Sequence, residues 1–411
     1  MGRFSLTRRR VSAVVLAIVA AAGAWLLLAG DDDAPEPVES PPRTAATGTG
    51  ASGAPAGLST EELVDQLLLV GFDGSEPKPG VLRELRGHQL GGVLVGASNW
   101  KGKGPGRKLI DALRAAGAKG GRIEPLIATD QEGGTYRSLT DLPPSEREIE
   151  IGDRGSREVA KRWGKDGAEA LEEVGIDLNL APVADVATLD SPIADRAFSD
   201  DPSVAAEMTA AAVDGCKAAG VACAVSHFPG LGAASQDTNA GPAFVGLDPA
   251  TLRGRDLVPF VAAFEAGAPA VVVSHGLYSA YDSVTPASLL PAITTDLLRG
   301  ELRFEGVAIS DDIGAGAIGA VMTPAEAAVE AVAAGIDLIQ VADPRNVAEV
   351  RRALLGAVED GTLGEERLRE AAGRVMALKR ELAAARRKGD GGGKKGGGSK
   401  ARGGPRKRGR G

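Results

Sequence analysis

The segment Val225–Pro242, VSHFPGLGAASQDTNAGP, turns an apolar run into a loop of glycine, proline and polar side chains. The run it continues, Val221–Val225, has the length and β-branched content of a buried strand. The loop carries His227, Pro229, Gly230, Gly232, Asp237 and Asn239. Only three histidines occur in 411 residues, and one stands at this strand-to-loop junction. In parallel α/β proteins, binding and catalytic groups collect at such junctions. A tight Gly/Pro turn whose histidine is satisfied by backbone is the competing reading of the segment alone.

The same pattern recurs along the chain. Short apolar runs at Leu67–Phe72, Gly92–Gly96, Leu126–Thr129, Ile176–Ala181, Val221–Val225, Ala270–Ser274, Val307–Ser310 and Ile336–Val341 predict eight strands, with helical segments between them. Ser59-Thr60-Glu61-Glu62 predicts a capping box at the first helix, with Ser59 as N-cap. Strands apolar along their whole length, alternating with amphipathic helices, indicate a parallel sheet covered by helices. Eight of them fit an α/β fold of the (β/α)₈ TIM-type barrel, whose site lies at the C-terminal strand ends. An open doubly wound sheet is the alternative. The absence of Gly-x-Gly-x-x-Gly after the first strand weakens its dinucleotide-binding version.

Charge is unevenly distributed. Arg386–Gly411 carries eleven Lys/Arg against one Asp and residues 1–30 carry four Arg, which leaves Asp31–Ala385 at −22 within a net charge of −8. An acidic body argues against nucleic acid as a partner, because phosphate neutralisation needs a basic surface. Two cysteines exclude a disulfide-rich scaffold and a Cys-based zinc site. Cys216 and Cys223 flank the predicted helix-to-strand turn at Gly220 and are read as buried free thiols in preference to a disulfide.

The ends extend the domain plan. Val11–Gly30 is uncharged, follows Arg8-Arg9-Arg10 and precedes Asp31-Asp32-Asp33, so residues 1–30 read as a basic flank and a transmembrane anchor. The basic flank places everything after Gly30 outside the membrane, and a cleaved signal peptide is the alternative. Residues 31–57 read as a disordered linker, residues 58–387 as the barrel, and residues 388–411 as a disordered Gly/Lys/Arg tail. The tail's expected contacts are anionic envelope polymer or lipid headgroups, with a purely solubilising role as the alternative.

The strand ends bring forward Asp130, Arg196, His227, Asp237, His275, Asp311 and Asp312. Carboxylates with an arginine and histidines, without His-x-His or His-Glu-x-x-His, suit glycoside or ester chemistry and imply neither a metal nor a cofactor. No Gly-x-Ser-x-Gly elbow is present, which disfavours an α/β-hydrolase.

Taken in order, Leu58–Phe72, Asp130-Gln131-Glu132-Gly133-Gly134, GIDLNLAPVADV at Gly175–Val186, Asp195-Arg196-Ala197-Phe198, SHFPGLG at Ser226–Gly232, Asp237-Thr238-Asn239 and GVAISDD at Gly306–Asp312 resemble glycoside hydrolase family 3. The resemblance is to its single-domain bacterial β-N-acetylhexosaminidases and spans nearly all of Leu58–Leu382. It implies a retaining mechanism on GlcNAc-containing, peptidoglycan-type glycans, with Asp311 as nucleophile and Asp312 bonding the loop. It also implies sugar contacts from Asp130, Arg196 and His227. Three positions depart from the family pattern. Ser226 stands where a lysine precedes the histidine. Arg137 is one place early for an arginine that falls on Ser138. Asn239 replaces the general acid/base histidine that Asp237 would orient, and asparagine transfers no proton at neutral pH. His275 is a candidate sugar contact and substitute acid. Two functions remain open: an envelope-anchored β-N-acetylhexosaminidase, and a catalytically impaired barrel that binds cell-wall glycans.

Overall fold

The computed structural model describes residues 57–120 and 122–392. The apolar run 11–30, nearly all of the linker and the tail beyond Gly392 lie outside the described residues. Among the described residues no helix is long and apolar enough to cross a membrane.

All eight predicted strands form, and they make one parallel sheet. We number them β1 (Leu68–Val70), β2 (Gly92–Leu94), β3 (Leu126–Thr129), β4 (Leu178–Asn179), β5 (Ala222–Phe228), β6 (Ala270–Val273), β7 (Val307–Ser310) and β8 (Ile339–Val341). Each pairs with its sequence neighbour, and β1 pairs with β8 in register Leu68 to Ile339 and Val70 to Val341. A parallel bridge between Ile309 and Leu338, with the Ser310 N–H donating to Leu338 O at 3.0 Å, brings β7 to β8 and nearly closes the barrel. This order follows from right-handed crossovers that carry each helix over the outside of the sheet.

Burial on both faces explains why the strands read as unbroken apolar runs. Outward side chains such as Val93, Ile127, Val225 and Val271 pack under the helices. Inward ones fill the barrel: Leu69, Leu126, Leu178, Ala224, Val272 and Ile309 join Val375, Leu378 and Leu382 of the last helix. That helix therefore plugs the end opposite the loops that bear the site. It runs Glu365–Gly392, five residues past the boundary expected for the tail, since extending a formed helix costs less than nucleating one.

Ionic bolts hold the plug. Gly-Ile-Asp-Leu occurs twice, before β4 and before β8, and each aspartate accepts the backbone N–H of the neighbouring strand: Asp177 from Ile127 at 2.9 Å and Asp337 from Ala308 at 3.0 Å. Arg367 and Arg374 of the last helix donate to Asp337 at 2.8 and 3.2 Å, and Arg386 pairs with Asp177. Lys379 is buried against Gln66 Oε1 and Leu90 O at 2.7 and 2.9 Å, and burial pushes its pKa down to about 7.

The capping box at the first helix forms as expected, with the Glu62 N–H on Ser59 Oγ and the Ser59 N–H on Glu62 Oε2. The cysteine reading is corrected: Cys216 and Cys223 form a disulfide. Helix Pro202–Ala219 ends at Gly220, whose φ of 81° turns the chain straight back into β5. The reversal brings the two Cα atoms to 6.2 Å, within bridging range.

Candidate active site

β5 alternates around its last residues. Phe228 points outward against Phe260, with ring centroids 5.4 Å apart, while His227 turns toward the barrel mouth. The Ser226–His227 and Phe228–Pro229 peptide bonds are cis. The following turn needs glycine at 230: φ is +122°, and a Cβ there would lie 2.5 Å from Asp256 Cβ. The Tyr278 hydroxyl donates to Gly230 O at 2.9 Å and holds the turn.

His227 belongs to a buried polar chain built from three loops. Its Nδ1 lies 2.8 Å from Asp185 Oδ2, and its Nε2 lies 3.2 Å from Arg196 Nη2. Arg196 grips Glu132 with two parallel bonds, Nε to Oε2 at 2.8 Å and Nη2 to Oε1 at 2.6 Å. Such a fork fixes the guanidinium plane as well as its charge. Burial opposes the charge on Arg196, but the Glu132 charge and bonds outweigh it and hold the group protonated. Burial also opposes charging His227, and the Asp185 bond and charge reverse this, so the net direction is upward. Tyr136 covers the chain at the rim, its ring 5.7 Å from Arg196 Cζ and its hydroxyl donating to Asp195 at 3.0 Å.

Asp130 follows β3 beside this chain. Burial first, then the neighbouring Glu132 and Asp311 charges, pushes its pKa up to about 8 against the pull of Arg196 and His227. Its buried Oδ1 has no hydrogen-bond partner among the described residues. A carboxyl group with an unpartnered buried oxygen, beside a clamped arginine, is suited to a ligand hydroxyl. Glu148 lies deeper. Its Oε1 accepts the Val183 N–H at 3.0 Å, and burial pushes its pKa well above the ordinary range.

Asp311 follows β7, with its backbone N–H on Val273 O at 3.0 Å. Its Oδ1 accepts the Asp312 N–H at 2.8 Å, and Oδ2 has no protein partner among the described residues. It lies near enough to Asp130 and His227 for its charge to push both of their pKa values up. Asp312 Oδ1 accepts N–H bonds from Ala342 at 3.0 Å and Gly314 at 3.2 Å, which ties the loop.

Asp237 and Asn239 sit at the tip of a hairpin closed by Ser235 and Phe244. The Asn239 N–H donates to Asp237 Oδ1 at 2.8 Å, and the Asn239 side chain is exposed. The Gly316 and Ala317 N–H groups of the β7 loop donate to Asn239 O and Thr238 O at 3.3 and 2.9 Å. The hairpin is thereby seated on the loop that carries Asp311.

Two candidate ligands, His275 and Arg137, have other work in the structure. His275 is fully buried, with Nε2 3.0 Å from the Asp312 carbonyl oxygen and Nδ1 2.7 Å from Ser288 Oγ, so neither ring nitrogen is free for a sugar or a proton transfer. Arg137 donates to Gly134 O at 2.6 Å and Leu142 O at 3.0 Å, bracing the β3 loop. Ser226 is buried within β5, and its Oγ has no hydrogen-bond partner among the described residues. Sequence reading missed Glu132 as a member of the site, although it lay in a quoted motif, and gave Asp185, a polar residue at a strand end, no role. Glu148 gave no signal.

The model described as glycosyl hydrolase family 3 N terminal domain matches residues 59–378. A β-hexosaminidase of Stenotrophomonas maltophilia strain K279a is 35% identical over 324 residues, 72% of this chain and 92% of that protein. One from Xanthomonas campestris pv. campestris strain B100 is 34% identical over 300 residues, 71% of this chain and 88% of that protein. Among solved structures, a family 3 β-N-acetylglucosaminidase from Paenibacillus sp. FPU-7 superposes with a TM-score of 0.76 at 31% identity over 80% of this chain. This chain spans 63% of that protein's length. A β-N-acetylhexosaminidase from Beutenbergia cavernae superposes with a TM-score of 0.71 at 31% identity, over 78% of this chain and 98% of that one.

Proposed function

The chain belongs to glycoside hydrolase family 3, and from that membership we propose that it is a retaining β-N-acetylhexosaminidase acting on GlcNAc-containing glycans of the cell wall. It is a glycosidase acting on O-glycosyl compounds, as its named relatives are. The carrying observation is Asp311, with one carboxylate oxygen bonded within its own loop and the other without a protein partner among the described residues, near enough to Asp130 to raise its pKa. In the proposed reaction Asp311 attacks the anomeric carbon as the glycosidic bond breaks, forming a glycosyl-enzyme that water then hydrolyses. Arg196 and Asp130 hold sugar hydroxyls. Asn239 supplies no proton, so the departing oxygen leaves without the help a histidine would give.

The proposed location is the outer face of a bacterial membrane, with residues 11–30 as the anchor. The Cys216–Cys223 disulfide supports an oxidising compartment. The basic residues beyond Arg386 would add contact with anionic envelope polymer or lipid.

The test pairs an aryl β-GlcNAc glycoside with a GlcNAc disaccharide, for wild type and Asp311→Ala. The expected result is turnover of the aryl glycoside by wild type and none by the variant. GlcNAc binding without turnover of either substrate would transfer the reading to a non-catalytic glycan binder.

A further inference from the structure

We infer that Asp185 is a positioning residue, locking His227 in the Nδ1–H tautomer so that Nε2 is left as an acceptor that holds the Arg196 fork in place. The inference deepens the glycan-site reading above. Its geometry stands independently of the substrate.

Asp185 has no solvent exposure and spends both oxygens on the His227 loop. Oδ1 accepts the Leu231 N–H at 2.6 Å. Oδ2 takes the His227 backbone N–H at 3.3 Å and faces the ring Nδ1 at 2.8 Å. Two backbone donors have fixed positions, so only a group that accepts at both oxygens satisfies the site. On the other side of the ring, Arg196 Nη2 lies 3.2 Å from Nε2. A guanidinium donates in every state it adopts in a protein, so Nε2 must present its lone pair and the ring proton must sit on Nδ1, against Asp185. With Nε and Nη2 engaged by Glu132 and His227, Nη1 is the one arm of Arg196 without a protein partner among the described residues. That arm is what the relay offers to a sugar hydroxyl.

His275 supplies an internal contrast. Its Nε2 faces a carbonyl oxygen, which only accepts, so that ring is the Nε2–H form with Nδ1 accepting from Ser288. The two buried histidines thus hold opposite tautomers, one supporting the Arg196 side of the site and the other the loop of Asp311.

Protonating His227 would turn an Nε2–H against the guanidinium and break the relay. The groups that face the ring or act on it are Asp185, Arg196, Asp130 and Asp311, with Glu132 behind Arg196. Asp185 favours the imidazolium, so its removal moves the acid limb of any binding or rate profile to lower pH. In Asp185→Asn, an amide that keeps its oxygen on the Leu231 N–H turns its NH₂ toward the ring, and the ring answers by shifting its proton to Nε2.

The experiment labels histidine with ¹⁵N in the full chain and reads imidazole ¹⁵N–¹H spectra at pH 7.5. With three histidines in the chain, His227→Gln assigns the signal directly. Wild type should show His227 as Nδ1–H and His275 as Nε2–H. Asp185→Asn should alter only His227. The same variant should weaken binding of N-acetylglucosamine about tenfold to a hundredfold, the range of one charge-assisted hydrogen bond. His227→Gln should cost as much, and the double variant no more than either single one. A wild-type His227 in the Nε2–H form overturns the inference, and so does an Asp185→Asn protein with unchanged tautomer and affinity. Additive losses overturn it too. If Asp185→Asn does not fold, the wild-type spectrum decides alone. An intact Nδ1–H signal in a protein that binds no N-acetylglucosamine supports the relay and refutes the substrate reading instead.

Discussion

Replacing Asn239 by histidine tests the proposal that residue 239 stands in the place of the general acid. The substitution needs no backbone change. The hairpin already fixes residue 239 through its N–H on Asp237 Oδ1 and its carbonyl under the Gly316 N–H. The side chain is exposed, so an imidazole meets no packed neighbour. Asp237 Oδ2 has no partner among the described residues and is available to orient the new ring. A positioned general acid contributes about 10²–10⁴ in rate, or roughly 3 to 5 kcal/mol. That gain applies in full only where the leaving oxygen is a poor one.

The readout that isolates bond cleavage is kcat/KM, which reports the steps up to the first irreversible one. For a GlcNAc disaccharide, Asn239→His should raise kcat/KM by about a hundredfold. For an aryl glycoside, whose phenolate departs unaided, kcat/KM should change by less than about threefold, while kcat rises because the imidazole now serves as base for water. Wild type should accordingly release a burst of aryl product that the variant loses. Adding Asp237→Ala should remove most of the disaccharide gain. Equal kcat/KM gains on both substrates, or a disaccharide gain untouched by Asp237→Ala, would refute the assignment of residue 239 to the acid's place.

Three further outcomes follow from packing and charge. Reducing Cys216–Cys223, or replacing both with alanine, should cost about 2 kcal/mol from the small loop it closes, seen as a melting point lower by several degrees with activity intact. Asp256 is fully buried, and burial pushes its pKa up to about 7. A folded pKa above the unfolded one favours folding at low pH and is lost as pH climbs through 7, so Asp256→Asn should leave stability at pH 4 unchanged and add on the order of 2–4 kcal/mol at pH 8 by denaturant titration. Gly316→Ala would place a Cβ 2.7 Å from Asn239 O. It should unseat the hairpin and lower kcat more than it lowers the melting point.

The barrel was legible in the chain because strands buried on both faces, separated by helices, leave a pattern every part of which is local. Leu126–Thr129, Ala270–Val273 and Val307–Ser310 are buried at every position, and each had appeared as an apolar run. The Ser59–Glu62 cap was equally visible, since its two hydrogen bonds span three residues. The positions of Asp130, Arg196, His227 and Asp311 were indicated by motif order, which names residues without saying what they touch.

What tertiary structure decided is which polar group meets which. His227 and His275 both follow a buried apolar run, and although a motif marks His227, nothing local says which partner either ring meets. One finds Asp185, 42 residues away, and Arg196 at 31. The other finds Ser288 and the carbonyl of Asp312 and is taken up by them. The cysteine pair shows the same limit over seven residues, because bridging depended on how tightly Gly220 reverses the chain. Periodicity reports which face of an element is dry. A hydrogen bond depends on two side chains arriving within about 3 Å from separate elements, and only the closed barrel brings those elements together.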